Sequence, residues 1–383
     1  MMGVVEWVFV AMCAVGALAT IRAWRRPPSD RLHCVDAIVP AYNEGPCLAH
    51  ALEQLLRNRY IARVICVNDG STDDTAQILD ELAARSEGRL IAIHQANTGK
   101  GGALMHGLQH ATAGVVFLTD ADTHVPPDSD GLGHMLAEIE RGAHAVGGIP
   151  SSHLVRAGWL PHVRATVKLP MIVIKRTFQQ WLGGAPFIVS GACGMFRTDV
   201  LRRHGFSDRT RVEDLDLTWT LVAHGYKVRQ ANRCIVYPQE CASLREEWRR
   251  WRRWIVGYAV CMRLHRRLLL TRFGLLSILP MAWVVVIGIV GYAIAWPQAV
   301  ASHAGAHGIA IALFPLPWIA AVSVLGTISA LHHRNAWLVV LAPLAVLYVL
   351  LSYAIWILHG VRGLITGREP ARDKPTRVAH VVE

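Results

Sequence analysis

Both ends of this chain are too apolar to lie wholly in water, and that partition constrains the fold more than any motif does. Beyond Arg272 come three apolar stretches, residues 275–296, 309–331 and 337–358, and another occupies residues 4–23. Each is close to the roughly 20 residues a helix needs to cross a bilayer. In hydrocarbon every backbone N–H and C=O must be satisfied within the protein, so such stretches form helices. Pro280, Pro315 and Pro317 kink or break them, which bundle packing tolerates. Of 383 residues 52% are hydrophobic and 17% charged, and the apolar excess lies at these two ends. The middle reads as a soluble domain of about 200 residues, large enough to bury its own core.

The net charge of +11 follows the same partition. Basic residues cluster beside apolar segments, at Arg22, Arg25 and Arg26 and again over residues 249–272. Charge on the cytoplasmic flank of membrane spans accounts for this, and no nucleic-acid-binding signature accompanies it, so nucleic acid is excluded as a partner. The first apolar run has its positive charge after it, followed by Pro27-Pro28. That order predicts a retained anchor (residues 1–26) with its N-terminus outside and the next domain in the cytoplasm. Three further spans would then leave the C-terminus outside. Arg362, Arg368, Arg372, Lys374 and Arg377 in the basic tail (residues 361–383) argue for the inside. Either one apolar segment does not cross or the tail does not control orientation. The eight cysteines form no CxxC pair and read as reduced thiols of a cytosolic domain. His332-His333 reads as a loop pair, not a metal site.

From Cys34 onward short β-branched runs (residues 35–39, 64–67, 90–93 and 115–118) alternate with helical stretches (48–56, 75–84 and 102–110). This predicts an α/β domain over residues 33–242, built on a mostly parallel sheet flanked by helices. Ligands bind beyond the carboxyl ends of such strands, which points to Asn68-Asp69-Gly70 and Asp120-Ala121-Asp122. Residues 159–181 are amphipathic and basic (Arg164, Lys168, Lys175, Arg176) and read as a packed surface helix or as an interfacial one. Residues 243–272 open with Trp248, Trp251 and Trp254, which share one helical face, flanked by Arg250 and Arg253. A Trp face edged by Arg suits the membrane interface and can offer guanidinium groups to a phosphate. Residues 273–360 are the C-terminal transmembrane region.

Several short segments carry candidate chemistry. Ser71 and Asp74 have capping-box spacing, which predicts a helix start and leaves Asp69 at the strand end, able to accept hydrogen bonds from a base or ribose or to cap the turn. Asp120 and Asp122, at i and i+2 on an extended chain, would point the same way and share a hard divalent cation with diphosphate oxygens. Thr210 and Glu213 repeat the capping-box spacing, placing Asp214 in a first helical turn where the dipole favours its ionised form. An ionised carboxylate in a cleft can take a proton from an attacking hydroxyl. Residues 97–102 look like part of a phosphate loop. Position 94 is His and Lys100 is followed by Gly, so the ATPase pattern fails, yet a Gly-rich turn with a Lys still suits a nucleotide.

In this order, residues 40–44, 67–75, 97–101, 120–122, 213–214 and 248–257 resemble family-2 glycosyltransferases. The likeness is to membrane-embedded processive β-glycan synthases, the poly-N-acetylglucosamine, hyaluronan, chitin and cellulose synthase group. The resemblance implies a GT-A-like fold with interfacial amphipathic helices and a few transmembrane helices. It implies that Pro40, Tyr42, Glu44 and Asp69 surround the uridine of a UDP-sugar, with Lys100 and Asp120 also on the donor. Asp120 and Asp122 would hold Mg²⁺ or Mn²⁺. Ser190, Gly191 and Ala192 would line the acceptor site, and Asp214, beside Glu213, would be the catalytic base. Arg253 and Trp254 match the RW of the family's QxxRW motif, whose helix serves diphosphate and acceptor. Arg250 stands where the motif has Gln and adds a candidate phosphate contact. The implied activity is inverting hexosyl transfer from a UDP-sugar, with N-acetylglucosamine preferred, to a growing β-linked polysaccharide. The expected setting is the inner membrane, multi-pass, with lipid bilayer and an accessory subunit as partners. Transfer of one sugar to a lipid-linked acceptor is the nearest alternative. A non-catalytic nucleotide-sugar-binding membrane protein is the other.

Overall fold

Runs of Val, Ile and Leu between polar turns form the sheet. In the computed structural model β1 (Val35–Ala41), β2 (Ile61–Asp69), β3 (Leu90–Gln95) and β4 (Val115–Leu118) lie parallel in the order β3-β2-β1-β4. Strands covered on both faces read as continuous apolar runs, and in β1 only Pro40 is less than fully buried. The crossovers are α1 (Gly45–Arg57), α2 (Thr75–Arg85) and α3 (Gly99–His110). α3 approaches the sheet so closely that a Cβ on Gly107 would lie 2.7 Å from Ile38 Cγ2 and 3.1 Å from Val67 Cγ2. β1 also carries a buried charge, Asp36. Its Oδ2 accepts Arg63 Nη2 at 2.8 Å and the backbone N–H groups of Thr112 and Ala113 at 2.7 and 2.9 Å.

The sheet then changes direction. After β5 (Thr123–His124), α4 (Gly131–Glu140), β6 (Ala145–Pro150) and α5 (Trp159–Gly183), strand β7 (Gly194–Arg197) inserts antiparallel between β4 and β6. α6 (Thr198–His204) and α7 (Glu213–Ala223) follow. β8 (Val228–Pro238) runs parallel to β6 and antiparallel to β5, which completes an eight-stranded, mostly parallel sheet flanked by helices. The structure describes residues 14, 17–18, 21–22, 25–280, 316–369 and 377. The chain divides into two units: Met1–Arg156, Ile172–Glu240 and Lys374–Glu383 form one, and Ala157–Met171 and Cys241–Asp373 the other.

The second unit contains α8 (Leu244–Leu264), a 3₁₀ turn (Leu268–Leu270), a π-helical turn (Gly274–Ile278), α9 (Leu316–His333), α10 (Trp337–Val340) and α11 (Ala342–Thr366). Ser243 caps α8 by accepting the Glu246 N–H at 3.3 Å, and the Glu246 carboxylate accepts the Ala242 N–H at 3.2 Å. Among the described residues one helix, α11, is long and apolar enough to cross a membrane, with 25 residues and an 18-residue window of mean hydropathy 2.0. Leu347, Leu358 and Ile365 on it are exposed. Small residues let α8 and α11 approach closely: a Cβ on Gly363 would lie 3.0 Å from Ala259 Cβ.

Most of the anchor expected at residues 4–23 and of the stretch 275–296 lies outside the described residues. The stretch 309–331 is described from Leu316 as α9, and His332-His333 ends that helix instead of forming a loop. The stretch 337–358 is two helices, because Pro343 sits in the first turn of α11, where its missing N–H costs no helical bond.

Candidate active site

The first turn of α7 holds Asp214 against a loop. Gly191 N–H donates to Asp214 Oδ2 and Leu215 N–H to Oδ1, both at 2.9 Å. Burial raises this carboxyl above its ordinary value and Glu213 adds to the rise, while Lys100 and the two N–H groups oppose it. Lys100, from the second position of α3, pairs with Asp120, and its Nζ lies 3.8 Å from Glu213 Oε1. A Cβ on Gly191 would fall 2.9 Å from Lys100 Nζ and 3.5 Å from Asp214 Oδ2, so only glycine leaves that amine its place. Thr119 Oγ1 donates to the Ala192 carbonyl at 3.0 Å, fastening the Asp120 turn to the 190–192 loop. Lys100, Asp120, Gly191, Ala192, Glu213 and Asp214 therefore lie together at the carboxyl end of β4, with Ser190 on the same loop.

Beside it lies a second group of carboxylates. Arg377 Nη1 is 2.6 Å from Asp122 Oδ2, and its Nε and Nη2 donate to Glu44 Oε2 and Oε1 at 2.9 and 3.3 Å. Burial pushes Asp122 up to about 6, against the pull of Arg377 and with help from Asp120 and Glu44. Among the described residues no group of three or more His, Cys, Asp or Glu could hold a metal unaided. Asp120 and Asp122 nonetheless offer hard oxygens from one turn, and a guanidinium already rests on Asp122. That donor set fits a divalent ion whose remaining positions are taken by diphosphate and water.

Asp69, at the end of β2, is engaged by the Gly-rich turn. Its Oδ1 accepts Thr98 N–H at 2.8 Å and Gln95 Nε2 at 2.7 Å, and its Oδ2 accepts Gly99 N–H at 2.9 Å. The turn resembling a phosphate loop thus directs two amides at a protein carboxylate, with Gly99 at φ +84°. Pro40 pairs with Val67 in the ladder, and Tyr42, 40% exposed, lies just past β1. Asn43 fixes that loop: its N–H donates to Ser71 Oγ at 2.9 Å and its Oδ1 accepts Thr72 N–H at 2.7 Å.

Three local expectations change. Ser71 and Asp74 form no capping box; Asp74 is itself the N-cap residue of α2, and Ser71 is taken by Asn43. Thr210 and Glu213 form none either, since Val212 precedes the helix and donates its N–H to Thr210 Oγ1 at 3.3 Å. Asp214 keeps its first-turn position. Asp120 and Asp122 lie in a turn, not an extended segment, closed by Thr123 N–H donating to the Asp120 carbonyl at 3.0 Å. The chain must reverse there to run β5 antiparallel to β8.

Arg250, Arg253 and Trp254 lie on α8, in the second unit. Arg250 is paired with Glu247, and its Cζ lies 5.3 Å from the Trp254 ring centroid. The sequence assigns Glu247 no role, and Arg377 only a part in the orientation of the basic tail. Glu247 reads as an ordinary first-turn acid, and Arg377 is 333 positions from the carboxylate it meets.

Comparison with known proteins identifies the family and the fold. The sequence model "Glycosyl transferase family 2" matches residues 36–205. The chain is 64% identical over 377 residues to the uncharacterized glycosyltransferase YaiP of Escherichia coli (strain K12), covering 98% of this chain and 94% of that one. It is 26% identical over 229 residues to a poly-β-1,6-N-acetyl-D-glucosamine synthase of Staphylococcus epidermidis, covering 58% of this chain and 54% of that synthase. A mannosyltransferase of Pyrobaculum calidifontis, solved with GDP-Man and Mn²⁺, superposes with a TM-score of 0.59 at 20% identity, covering 95% of this chain and 98% of that one. That likeness establishes a shared GT-A-like fold.

Proposed function

The chain belongs to the family-2 glycosyltransferases, and we propose that it transfers N-acetylglucosamine from its UDP conjugate to a growing β-linked glycan at the inner membrane. The observation that carries this reading is Lys100, which joins the Asp120 carboxylate to the Glu213–Asp214 pair. Donor and base are thereby referred to one cation. Asp214 takes the acceptor hydroxyl proton as its oxygen bonds to the anomeric carbon, while the bond from that carbon to the diphosphate oxygen breaks and UDP leaves. A single displacement inverts the anomeric centre, so an α-linked donor yields a β-glycoside. Asp122 and Asp120 would hold Mg²⁺ or Mn²⁺, which offsets negative charge on the departing diphosphate. Lys100 adds a second positive charge on the donor side.

The choice of sugar is supported by the 26% identity to a poly-N-acetylglucosamine synthase over about half of that protein's length. Attachment to the bilayer is supported by α11. A panel of nucleotide sugars offered to purified membranes, scored for nucleotide release and product size, tests the reading. Release of UDP from UDP-N-acetylglucosamine with a ladder of long products is expected. A single-sugar lipid product would replace polymerisation, and no release with any donor would remove the assignment.

A further inference from the structure

Phe187, Val189 and Gly191, alternate residues of one loop, are each fastened to α7. Trp219 Nε1 donates to the Phe187 carbonyl at 3.0 Å, the Val189 N–H donates to Thr218 Oγ1 at 3.0 Å, and the Gly191 N–H donates to Asp214 Oδ2 at 2.9 Å. All of these residues belong to the first unit. Asp214 and Thr218 stand about one turn apart on α7 and so share a face. Thr218 is the middle fastening, and its hydroxyl also donates to the Asp214 carbonyl at 2.7 Å. A helical threonine often makes that bond to the carbonyl one turn back, which fixes its χ1. Here the fixed hydroxyl also serves an amide from another segment. Thr218 and Val189 are both buried, so the bond between them is shielded from bulk water. On the sheet side, a Cβ on Gly147 would lie 3.5 Å from Val189 Cα, and one on Gly194 would lie 3.0 Å from Val189 Cγ1. The loop is therefore packed from behind, and its buried N–H must find a partner in front or lose its hydration uncompensated.

We propose that Thr218 is a positioning residue for the transfer step: its hydroxyl, bonded both to the Asp214 carbonyl and to Val189, sets the loop so that the Gly191 N–H stays on Asp214 Oδ2. The Leu215 N–H holds the other oxygen, so the carboxylate is kept from rotating. A base that receives a proton needs a fixed direction, and a displacement of about 1 Å in such a group can cost about a hundredfold in rate. The Gly191 N–H also favours the ionised form of Asp214, as Lys100 does, against burial and Glu213. Losing the Thr218 bond frees the loop, lengthens the Gly191 contact and leaves the carboxyl easier to protonate. Thr218 acts through Asp214 and is not itself a catalytic residue. The inference rests on the transferase reading, since a base needs aiming only if a hydroxyl gives up its proton there.

The test uses the full chain in proteoliposomes with the donor that supports turnover. Thr218→Val keeps the shape and removes the hydroxyl, whereas Thr218→Ser keeps the hydroxyl. In Thr218→Val, kcat near neutral pH is expected to fall about tenfold with donor KM held within about twofold, and the acid limb of the kcat profile to move to higher pH. Thr218→Ser is expected to restore the limb and to bring kcat within about threefold of wild type. Hydrogen exchange, read by mass spectrometry, gives a measure free of turnover. The segment 187–191 should exchange about tenfold faster in Thr218→Val while α7 stays protected. A role in packing alone predicts an equal loss at every pH, an unmoved limb, and a serine variant no better than the valine one. That pattern, or unchanged exchange over 187–191, would overturn the proposal. If Thr218→Val does not fold, the smaller Thr218→Ala carries the same readouts. Wild-type membranes that turn over no donor would remove the transferase reading, and the exchange measurement would still decide whether Thr218 holds the loop.

Discussion

Arg377 Nη1 lies 2.6 Å from Asp122 Oδ2, so a basic side chain from the C-terminal tail rests on a carboxylate suited to a divalent ion. The two cations cannot occupy that oxygen together, and binding of one displaces the other. Arg377→Ala is therefore expected to tighten Mn²⁺ binding by roughly tenfold, the worth of one partly buried charge-assisted pair. Electron paramagnetic resonance of Mn²⁺ titrated into the detergent-solubilised chain reads this directly. An unchanged affinity would mean that Arg377 does not hold Asp122 in solution.

Asp214→Asn keeps the hydrogen bond from Gly191 and removes the capacity to take a proton. Turnover is expected to fall by about a thousandfold, within the range for loss of a general base, while UDP affinity stays near wild type. Turnover with radiolabelled donor and equilibrium binding of UDP separate the two effects. Wild-type turnover would free Asp214 from the role of base.

Burial holds the Asp214 carboxyl above the ordinary aspartate range, and this sets a pH dependence. The base form appears as pH rises through the raised value, so kcat climbs with pH and its acid limb lies higher than for a solvated aspartate. For stability the sign is opposite: the folded chain binds this proton more firmly than the unfolded one, so the contribution is full below the unfolded pKa and is lost as pH rises through the folded one. Lys100 opposes the rise, so Lys100→Met should move the limb of the kcat profile further up. A limb that stays in place in that variant would contradict the link.

Gly191→Ala puts a methyl group where a Cβ would meet Lys100 Nζ at 2.9 Å. The amine is the flexible end of its chain and yields, so the fold survives and the pairing with Asp120 does not. An increase of about tenfold in donor KM with little change in melting temperature is expected, in line with loss of one charge-assisted contact. A large drop in melting temperature with donor KM unchanged would assign the glycine to packing instead.

Asp36→Ala tests the sheet. It strands Arg63 and two backbone N–H groups that now share one buried carboxylate. A loss of about 3 kcal/mol is expected, typical of breaking a buried pair from one side. Chemical denaturation of the solubilised chain, followed by circular dichroism, measures it.

The parallel half of the sheet was legible because short apolar runs at β1 to β4 alternate with the helical stretches α1 to α3, and their ends fall within a few residues of those read from the pattern. β7 was not legible: four residues, Gly-Met-Phe-Arg, carry no period, and their antiparallel placement is set by partners on both sides. The cluster of Lys100, Asp120, Glu213 and Asp214 could be anticipated from residues at strand ends and helix starts. The capping boxes failed because Asn43 competes for Ser71 and because Thr210 bonds to Val212 before the helix begins. Asp69 faces Thr98 and Gly99 because the amides at the start of α3 need an acceptor, which a strand-end aspartate supplies. The contacts of Arg377 and Glu247 were not legible because they are tertiary, which no local spacing records.

The β4–β7 ladder has one more implication. Leu118 sits opposite Gly194, so the two loops leaving that junction, one bearing Asp120 and Asp122 and the other Ser190 to Ala192, are geared to each other by a single antiparallel register. A slip of one residue would invert the facing side chains and uncouple the loops. The chain between β6 and β7 can therefore change in length and sequence without moving that junction, provided the pairing of Leu118 with Gly194 is kept.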